Sequence, residues 1–293
     1  MSATEVIERT EVIDAAQAEA LAGLLGVQAP TELLPEMWHW VYLMERRPHA
    51  DLGPDGHPSF GIPAPPGEGR RRMWAGGRVV HREQLAIGEP ATKTTRIASS
   101  VEKEARSGPM TLVTVRNEIT QGGRTVIVDE QDIVYLVASG SVPLEPGTLD
   151  LPPAATERAP VLDLRVDEAL LFRFSALTYN AHRIHYDHTW CRVEGYADLV
   201  VHGPLQALMM GELIRRHGAG LVGREFAYRL VSPMIGPQVL RVVPAAEGLD
   251  RGAEVLEVGG RVTAKATLSA GIVTAPGDAV QDGDAGKRGG VLQ

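Results

Sequence analysis

A polar turn in this 293-residue chain concentrates side chains that can transfer protons. The turn, 180–187, reads NAHRIHYD and contains His182 and His185. A short apolar run, 199–201, separates it from His202-Gly203-Pro204. Because an imidazole has an ordinary pKa of about 6.5, it can act as a general base or acid near neutral pH. The turn is therefore the first candidate for a catalytic site.

The segment after the turn predicts a helix that begins at a backbone N–H free to donate a hydrogen bond. Pro204 suits the first helical position, where its missing N–H costs nothing. Apolar residues then recur at helical spacing and predict one buried stripe: Leu205, Leu208, Met209 and Leu213. The N–H of Gly203 is unpaired at the positive end of this helix, next to the histidine turn. Such a donor can stabilise a developing oxyanion.

The composition excludes several other classes of function. Hydrophobic residues make up 44% of the chain and charged residues 23%, as in soluble globular proteins. A net charge of −8 argues against a general nucleic-acid binder. No apolar run approaches the ~20 residues of a membrane span, and the acidic N-terminus lacks the apolar segment of a secretory signal. One cysteine, Cys191, excludes an internal disulfide. We expect a cytoplasmic protein with no nucleic-acid or membrane partner.

The remaining elements predict two β-rich halves. A capped helix is expected over Asp14–Leu25, and Leu33–Met44 could be a short helix or a strand. The predicted strands, in chain order, are Arg78–Arg82, Ala91–Glu104, Met110–Thr120, Thr125–Val137, Val161–Val166, Phe226–Leu230, Val239–Val243, Ala253–Val258 and Arg261–Ser269. Glycine pairs at 122–123 and 259–260 predict the last hairpin of each half.

We divide the chain accordingly. Residues 1–138 form the first half, a proline-rich linker covers 139–160, and 161–274 form the second half with the polar turn. Residues 275–293 are rich in glycine and aspartate, which predicts a disordered tail. Each half places an apolar helical segment ahead of long antiparallel strands. We therefore predict an α+β fold in which two antiparallel sheets each wrap around a central helix.

The motif resembles that of a known family. Asn180, His185 and His202-Gly203-Pro204 resemble the hydratase motif of the MaoC-type hot-dog family, in which an acidic residue, a histidine five positions later and a His-Gly helix start recur. The surrounding residues are similar to the branch of the type 2 hydroxyacyl-thioester dehydratases and the mesaconyl-C4-CoA hydratases. Three patches of the first half are similar to the same branch: Pro35–His39, Leu52–Pro58 and Arg71–Gly77. The resemblance implies a double hot-dog fold whose first half shapes the substrate site and whose second half is catalytic.

The resemblance also implies a reaction, the reversible hydration of an enoyl thioester. His185 would deprotonate the water and, as imidazolium, protonate C2 on the same face. Asn180 would orient the water, and the N–H of Gly203 would receive the oxyanion. The family has an acidic residue where this chain has Asn180, so His185 carries both proton transfers here.

Several further residues are candidates for substrate binding. Arg71 and Arg72 could bind the phosphates of coenzyme A, or could belong to a solvated face. Arg183 could pair with a substrate carboxylate, as in a mesaconyl-type dicarboxylyl thioester, or with Asp187. Trp74 is also predicted to contact the substrate.

Two histidine assignments leave alternatives open. His202 could bind the substrate or only cap the turn before the helix. His182, His185 and His188 are spaced three residues apart and could hold a metal, but this spacing on an unproven helix is weak evidence. We predict no metal, and no cofactor other than the coenzyme A of the substrate.

The predicted function is that of a hydratase or dehydratase acting on an acyl-CoA or an acyl-carrier-protein thioester. Two alternatives remain, a hot-dog acyl-CoA thioesterase and a non-catalytic protein that binds acyl thioesters. The thioesterase ranks lower, because those enzymes commonly face the thioester with a carboxylate and this motif has Asn180. A homodimer is left open, since two halves in one chain could replace the usual pairing of hot-dog subunits.

Overall fold

The computed structural model describes residues 5–65, 69–105, 108–137, 142, 144–218 and 220–269. The predicted tail, 275–293, lies outside the described residues, and so does part of the predicted linker. No described helix is long and apolar enough to span a membrane.

Ten antiparallel strands form one continuous sheet. In chain order they are β1 (Val6–Val12), β2 (Arg70–His81), β3 (Pro90–Ala105), β4 (Gly108–Gln121), β5 (Arg124–Val137), β6 (Leu162–Val166), β7 (Glu225–Leu230), β8 (Gln238–Ala245), β9 (Gly248–Leu256) and β10 (Val262–Leu268). Their order across the sheet is β1-β3-β4-β5-β2-β7-β10-β9-β8-β6. The first five strands of the order come from the first half of the chain and the last five from the second half.

The two antiparallel sheets predicted for the halves form a single sheet, joined where β2 pairs with β7. These strands pair from Gly76↔Arg229 to Val80↔Glu225, so the two half-sheets merge. Pairing satisfies backbone donors and acceptors that would otherwise stay unpaired on two edge strands. The hot-dog-like α+β architecture holds, but as a single sheet.

Four α-helices accompany the sheet: α1 (Ala15–Leu25), α2 (Glu168–Leu177), α3 (His188–Val193) and α4 (Gly203–His217). In α4, every residue from Leu205 to Ile214 is buried, including the predicted apolar stripe. This helix packs against β7, β8, β9 and β10, as expected for the central helix of a hot-dog half.

The first half differs from this expectation. Its helix α1 packs mainly against α2 rather than along the sheet. The segment predicted as helix or strand forms instead a short 3-10 turn, Trp38–Val41, whose four residues are all buried. The indole N–H of Trp38 donates to buried Glu212 of α4 at 2.8 Å, so this turn ties the first half to the central helix of the second.

Local capping and turn signals were reliable. Asp14 caps α1 by accepting the N–H of Gln17, and Gly26 ends the helix in the left-handed region, φ 66°. The pairing Gln121↔Arg124 confirms the hairpin at 122–123. The described part of the predicted linker packs on the second half: the Gly147 N–H donates to the Ile235 carbonyl at 2.8 Å.

Candidate functional site

Two cavities adjoin the polar turn. The main cavity, of about 490 Å³, is lined by residues of both halves, among them His185, Asn180 and Gly203 of the predicted motif. The second cavity, of about 460 Å³, lies on the other side of the turn and opens past Phe172, Tyr179 and Tyr186. Three residues line both cavities and so mark their boundary: His57, Arg72 and Asn180.

His185 is positioned to act as a base in the main cavity. It ends a 3-10 turn, Arg183–His185, and its Nδ1 lies 2.7 Å from the carbonyl oxygen of Val200. A carbonyl only accepts, so Nδ1 carries the proton and Nε2 has a free lone pair. Nε2 has no hydrogen-bond partner among the described residues. Burial, with a smaller contribution from His182, lowers the pKa of His185 to about 3, although the bond to Val200 raises it. The imidazole is therefore neutral at pH 7.

His202 packs against the ring of His185. Its ring stacks on that of His185, and its Nε2 lies 2.8 Å from Oγ of Ser175. The side chain is fully buried and does not line the main cavity. Burial and the neighbouring His185 lower the pKa of His202 well below its ordinary value. The geometry favours a role in positioning His185 over the predicted contact with substrate.

Gly203 begins α4 and lines the main cavity. A Cβ atom built on it would lie 2.2 Å from Cδ1 of Leu230, so only glycine fits without displacing that side chain. Pro204 occupies the first turn, as predicted. His185 and Gly203 both line this cavity, and His202, which directly precedes Gly203, stacks on His185.

Asn180 is held by backbone hydrogen bonds at the mouth of the turn. Its Oδ1 accepts the N–H of His182 at 3.0 Å, and its own N–H donates to the Ser175 carbonyl at 2.8 Å. One lone pair of Oδ1 is therefore occupied structurally. The side-chain NH₂ has no partner among the described residues and can donate into either cavity.

A loop of the first half, 52–58, contacts the polar turn 180–187. The N–H of Arg183 donates to the carbonyl of Asp55 at 2.9 Å. Gly56, with φ 89°, approaches so closely that a Cβ atom would lie 1.8 Å from the carbonyl oxygen of Ala181. Only glycine permits both this conformation and this contact. The sequence marked the loop by similarity alone, since contacts between residues over a hundred positions apart leave no local pattern.

The same loop brings a further histidine, His57, to the site. Nδ1 of His57 lies 2.9 Å from Oδ2 of Asp55, and its ring centroid lies 4.1 Å from that of His182. Burial, Arg72 and His182 lower the pKa of His57 to about 3, against the opposing effect of Asp55.

Asp55, His57 and His182 are also the residues best placed to hold a cation. One ligand atom from each lies within 4.8 Å of the others. However, His57 already has Asp55 as a partner, and His182 Nε2 lies 3.0 Å from Oε1 of Glu194. Carboxylate–imidazole hydrogen bonds account for this geometry. The trio of His182, His185 and His188, considered as a weak alternative from the sequence, is not brought together, and exposed His188 pairs with Asp198 at 2.9 Å.

The structure places Arg183 and Arg71 outside the main cavity. Nε and Nη2 of Arg183 bond Oδ2 of Asp187 at 3.0 and 2.6 Å, and the guanidinium lies 4.2 Å from the ring centroid of Trp190. The alternative partner, Asp187, is thus the one found, and this geometry does not support pairing with a substrate carboxylate. Arg71 donates to the carbonyl of Glu194 at 3.2 Å.

Trp74 and Arg72 do line the main cavity. The indole N–H of Trp74 is shared between the Gly76 carbonyl and the Tyr228 hydroxyl, both at 2.9 Å. Its ring therefore forms an apolar wall and its polar atom is already paired. Within the described ranges, the hydrogen bond found for Arg72 runs to the carbonyl of Pro63, at 3.4 Å, and the nearby Tyr135 hydroxyl also acts on its charge.

The end of the main cavity inside the first half is unexpectedly polar. Asp129 is buried and accepts the Trp40 indole N–H at 2.9 Å, and His39 Nε2 lies 3.6 Å from the same carboxylate. Lys93 also lines this end, and burial and the nearby Arg9 lower its pKa to about 8. Lys93 lies on β3, Asp129 on β5 and His39 in the Trp38–Val41 turn. The sequence patterns of these elements did not indicate that the three side chains line a cavity.

Comparisons with known proteins show which family the chain resembles over most of its length. Residues 37–236 match the family model for "Hydroxyacyl-thioester dehydratase type 2". The chain is 41% identical over 254 residues to the mesaconyl-C(4)-CoA hydratase of Chloroflexus aurantiacus, covering 83% of this chain and 88% of that protein.

Solved structures support the fold alone. A MaoC-like dehydratase aligns with a TM-score of 0.64 at 14% identity, covering 91% of this chain and 97% of the other. A Mycobacterium tuberculosis protein with a double hot-dog fold aligns with a TM-score of 0.50 at 17% identity, covering 92% and 97%.

Proposed function

This chain belongs to the type 2 hydroxyacyl-thioester dehydratase family of MaoC-like hot-dog proteins and is a hydro-lyase of acyl thioesters, and we propose that His185 is its single acid–base residue. The observation that carries this proposal is that the free Nε2 of His185 and the helix start at Gly203 face one cavity. A water molecule and a thioester carbonyl can be bound there together.

The proton transfers follow from the tautomer of His185. With Nδ1–H fixed on Val200, Nε2 accepts a proton from the water that attacks C3. The enolate oxygen that develops on the thioester is stabilised by the N–H of Gly203. The imidazolium then returns the proton to C2 on the same face, so hydrogen and hydroxyl add syn and the residue ends neutral.

The low pKa of His185 suits the second of these steps, the return of the proton to C2. A strongly desolvated imidazolium is a good acid, so proton return to C2 is favoured once the enolate has formed. The stack on His202 keeps the ring from rotating between the two transfers. Asn180 is placed to donate from its NH₂ to the attacking water, which keeps a water lone pair directed at C3.

The substrate class is proposed from the relative and from the cavity. The Chloroflexus relative acts, by its name, on a mesaconyl thioester, whose acyl group is short and carries a free carboxylate. The main cavity has polar and cationic side chains among its lining residues, including Arg72 and Lys93. A purely aliphatic chain would leave these groups without partners. We therefore favour a dicarboxylyl-CoA over a long fatty acyl thioester.

The test is turnover of a panel of enoyl-CoA esters, with loss of conjugated-thioester absorbance and release of free thiol followed together. The proposal expects absorbance loss without thiol release, fastest for mesaconyl-C4-CoA. Stoichiometric thiol release would instead indicate a thioesterase. Tight binding of every ester with no change in either signal would indicate a non-catalytic binding protein.

A further inference from the structure

The proposed substrate has a free carboxylate, and the sequence offered Arg183 as a possible cationic partner for it. In a mesaconyl-C4 thioester, the carbon that receives the hydroxyl group also carries the free carboxylate. The carboxylate is therefore recognised next to the group that orients the attacking water. Arg183 is already paired with Asp187 and lies outside the main cavity.

Cationic side chains at the two cavities are few within the described ranges. Apart from histidines, the lining residues include Arg47, Arg72 and Lys93. Arg47 forms an ion pair with Glu45 at 2.5 Å and lies over the ring of Phe60. Lys93 lines the main cavity but not the second one, and Asp129, Glu11 and Glu45 already act on it as anionic neighbours.

Arg72 differs from both. It lines the main and second cavities together with Asn180, so its side chain reaches the boundary at which the water would be oriented. No described carboxylate lies within 4.0 Å of its guanidinium, and its one hydrogen bond within the described ranges, to the Pro63 carbonyl, is long at 3.4 Å. The Tyr135 hydroxyl, Asp55 and Glu45 are close enough to oppose the lowering of the Arg72 pKa by burial, but no described carboxylate is in contact with it. A half-buried guanidinium of this kind retains donors for a ligand.

We propose that Arg72 is the receptor for a carboxylate carried on the β-carbon of the acyl group, and that it gives the site its preference for dicarboxylyl thioesters. This inference rests on the proposed hydratase function. A planar guanidinium binds a carboxylate through two parallel hydrogen bonds and so fixes the β-carbon relative to Asn180. Burial lowers the pKa of Arg72, consistent with a desolvated cation that an anion would stabilise. The assignment replaces the predicted contact of Arg72 with coenzyme A phosphates.

The experiment uses saturated analogues, so that it does not depend on turnover. Succinyl-CoA carries a carboxylate on the β-carbon, and butyryl-CoA has a methyl group in the same place. The dissociation constants of both are measured by calorimetry for the wild type, Arg72→Met, Arg72→Lys and Lys93→Met. Arg78→Met is the matched control, because Arg78 lies on the same strand, pairs with Glu130 and lines neither cavity.

We expect the wild type to bind succinyl-CoA about 100-fold more tightly than butyryl-CoA, and Arg72→Met to lose this preference while keeping its affinity for butyryl-CoA. Arg72→Lys should retain part of the preference, and Arg78→Met all of it. Unchanged binding of butyryl-CoA shows that the variant is folded.

Three results would overturn the proposal. An equal loss for both esters would mean that Arg72 binds the phosphates or supports the fold. A preference that survives in Arg72→Met, or that disappears in Lys93→Met instead, would place the carboxylate elsewhere.

Absence of enoyl-CoA turnover in the wild type would contradict the proposed function, but the two dissociation constants would still decide the role of Arg72.

Discussion

The imidazole of His185 lies nearly parallel to that of His202, with ring centroids 3.6 Å apart and planes inclined by 19°. His202 is in turn fixed by Ser175, and His185 by the carbonyl of Val200. Two hydrogen bonds and one stacking contact therefore define the direction of the free Nε2. The ring of His185 is preoriented by the fold, as its proposed role in two successive proton transfers requires.

His202→Ala should loosen this arrangement without touching the substrate. Loss of the buried ring leaves a void and should lower the free energy of unfolding by about 2–4 kcal/mol. Because the ring of His185 gains freedom, kcat should fall by at least about 10-fold with little change in KM. Steady-state kinetics and urea unfolding measure both effects. An unchanged kcat in a destabilised variant would mean that His202 is purely structural.

Gly203→Ala should damage the oxyanion site by contact with Leu230. The added Cβ would meet Cδ1 of Leu230 at 2.2 Å, which forces the helix start or that side chain into the cavity. We expect kcat to fall by about 100-fold and the free energy of unfolding by about 1–3 kcal/mol.

A double-mutant cycle with Leu230→Ala tests the cause of this loss. Removing the Leu230 side chain makes room for the new methyl group, so the stability effects of the two changes should be non-additive by about 1 kcal/mol or more. Strictly additive effects would show that the two positions do not interact.

Asn180→Asp should preserve the turn, since a carboxylate can also accept the N–H of His182. It restores the acidic residue that the wider family has at this position. If Asn180 only positions water, kcat should rise or change by less than about 10-fold, whereas Asn180→Leu should lower it by more. Complete inactivity of a folded Asn180→Asp enzyme would mean that the neutral NH₂ donor is needed.

The buried histidines predict how stability depends on pH. The pKa values of His57 and His185 are lowered to about 3, and those of His81 and His202 are also lowered. In the unfolded chain these groups return to about 6.5 and bind protons first. The contribution of these neutral histidines to the free energy of unfolding is therefore fully present above about pH 6.5 and is lost as the pH falls towards 3.

The same shift predicts the pH dependence of the reaction. His185 in the free enzyme stays unprotonated well below pH 6.5, so kcat/KM should show no loss with an apparent pKa near 6.5. Initial rates and urea unfolding at pH 4–8 measure the two predictions. A half-loss of kcat/KM near pH 6.5 would contradict the neutral, desolvated His185.

That His185 and Gly203 line the same cavity could be predicted, because their placement depends on local sequence signals. Polar turn residues, a proline at a helix start and an apolar stripe lie within about 35 residues of one another. The resemblance to a family motif then assigned roles to the same positions. The antiparallel strands also followed from alternation, except β1, which has no large apolar face, and the start of β2, which three arginines and two glycines obscured.

The features that sequence reasoning missed depend on contacts across the chain. Docking of Gly56 on Ala181, pairing of β2 with β7, and the placement of Arg72 at the cavity boundary join segments that are distant in sequence. No periodic pattern in the sequence indicates these long-range contacts. The partner of Arg183 was left open between a substrate carboxylate and Asp187, because the orientation of Asp187, four positions along the same turn, cannot be read from sequence.

The rate at which wild-type protein and His185→Ala hydrate mesaconyl-C4-CoA tests the central claim most directly. The account predicts a loss of about 1,000-fold in kcat, since one residue performs both proton transfers. His188→Ala, at an exposed histidine three positions away, should keep the wild-type rate. Wild-type turnover by a folded His185→Ala enzyme would contradict the account.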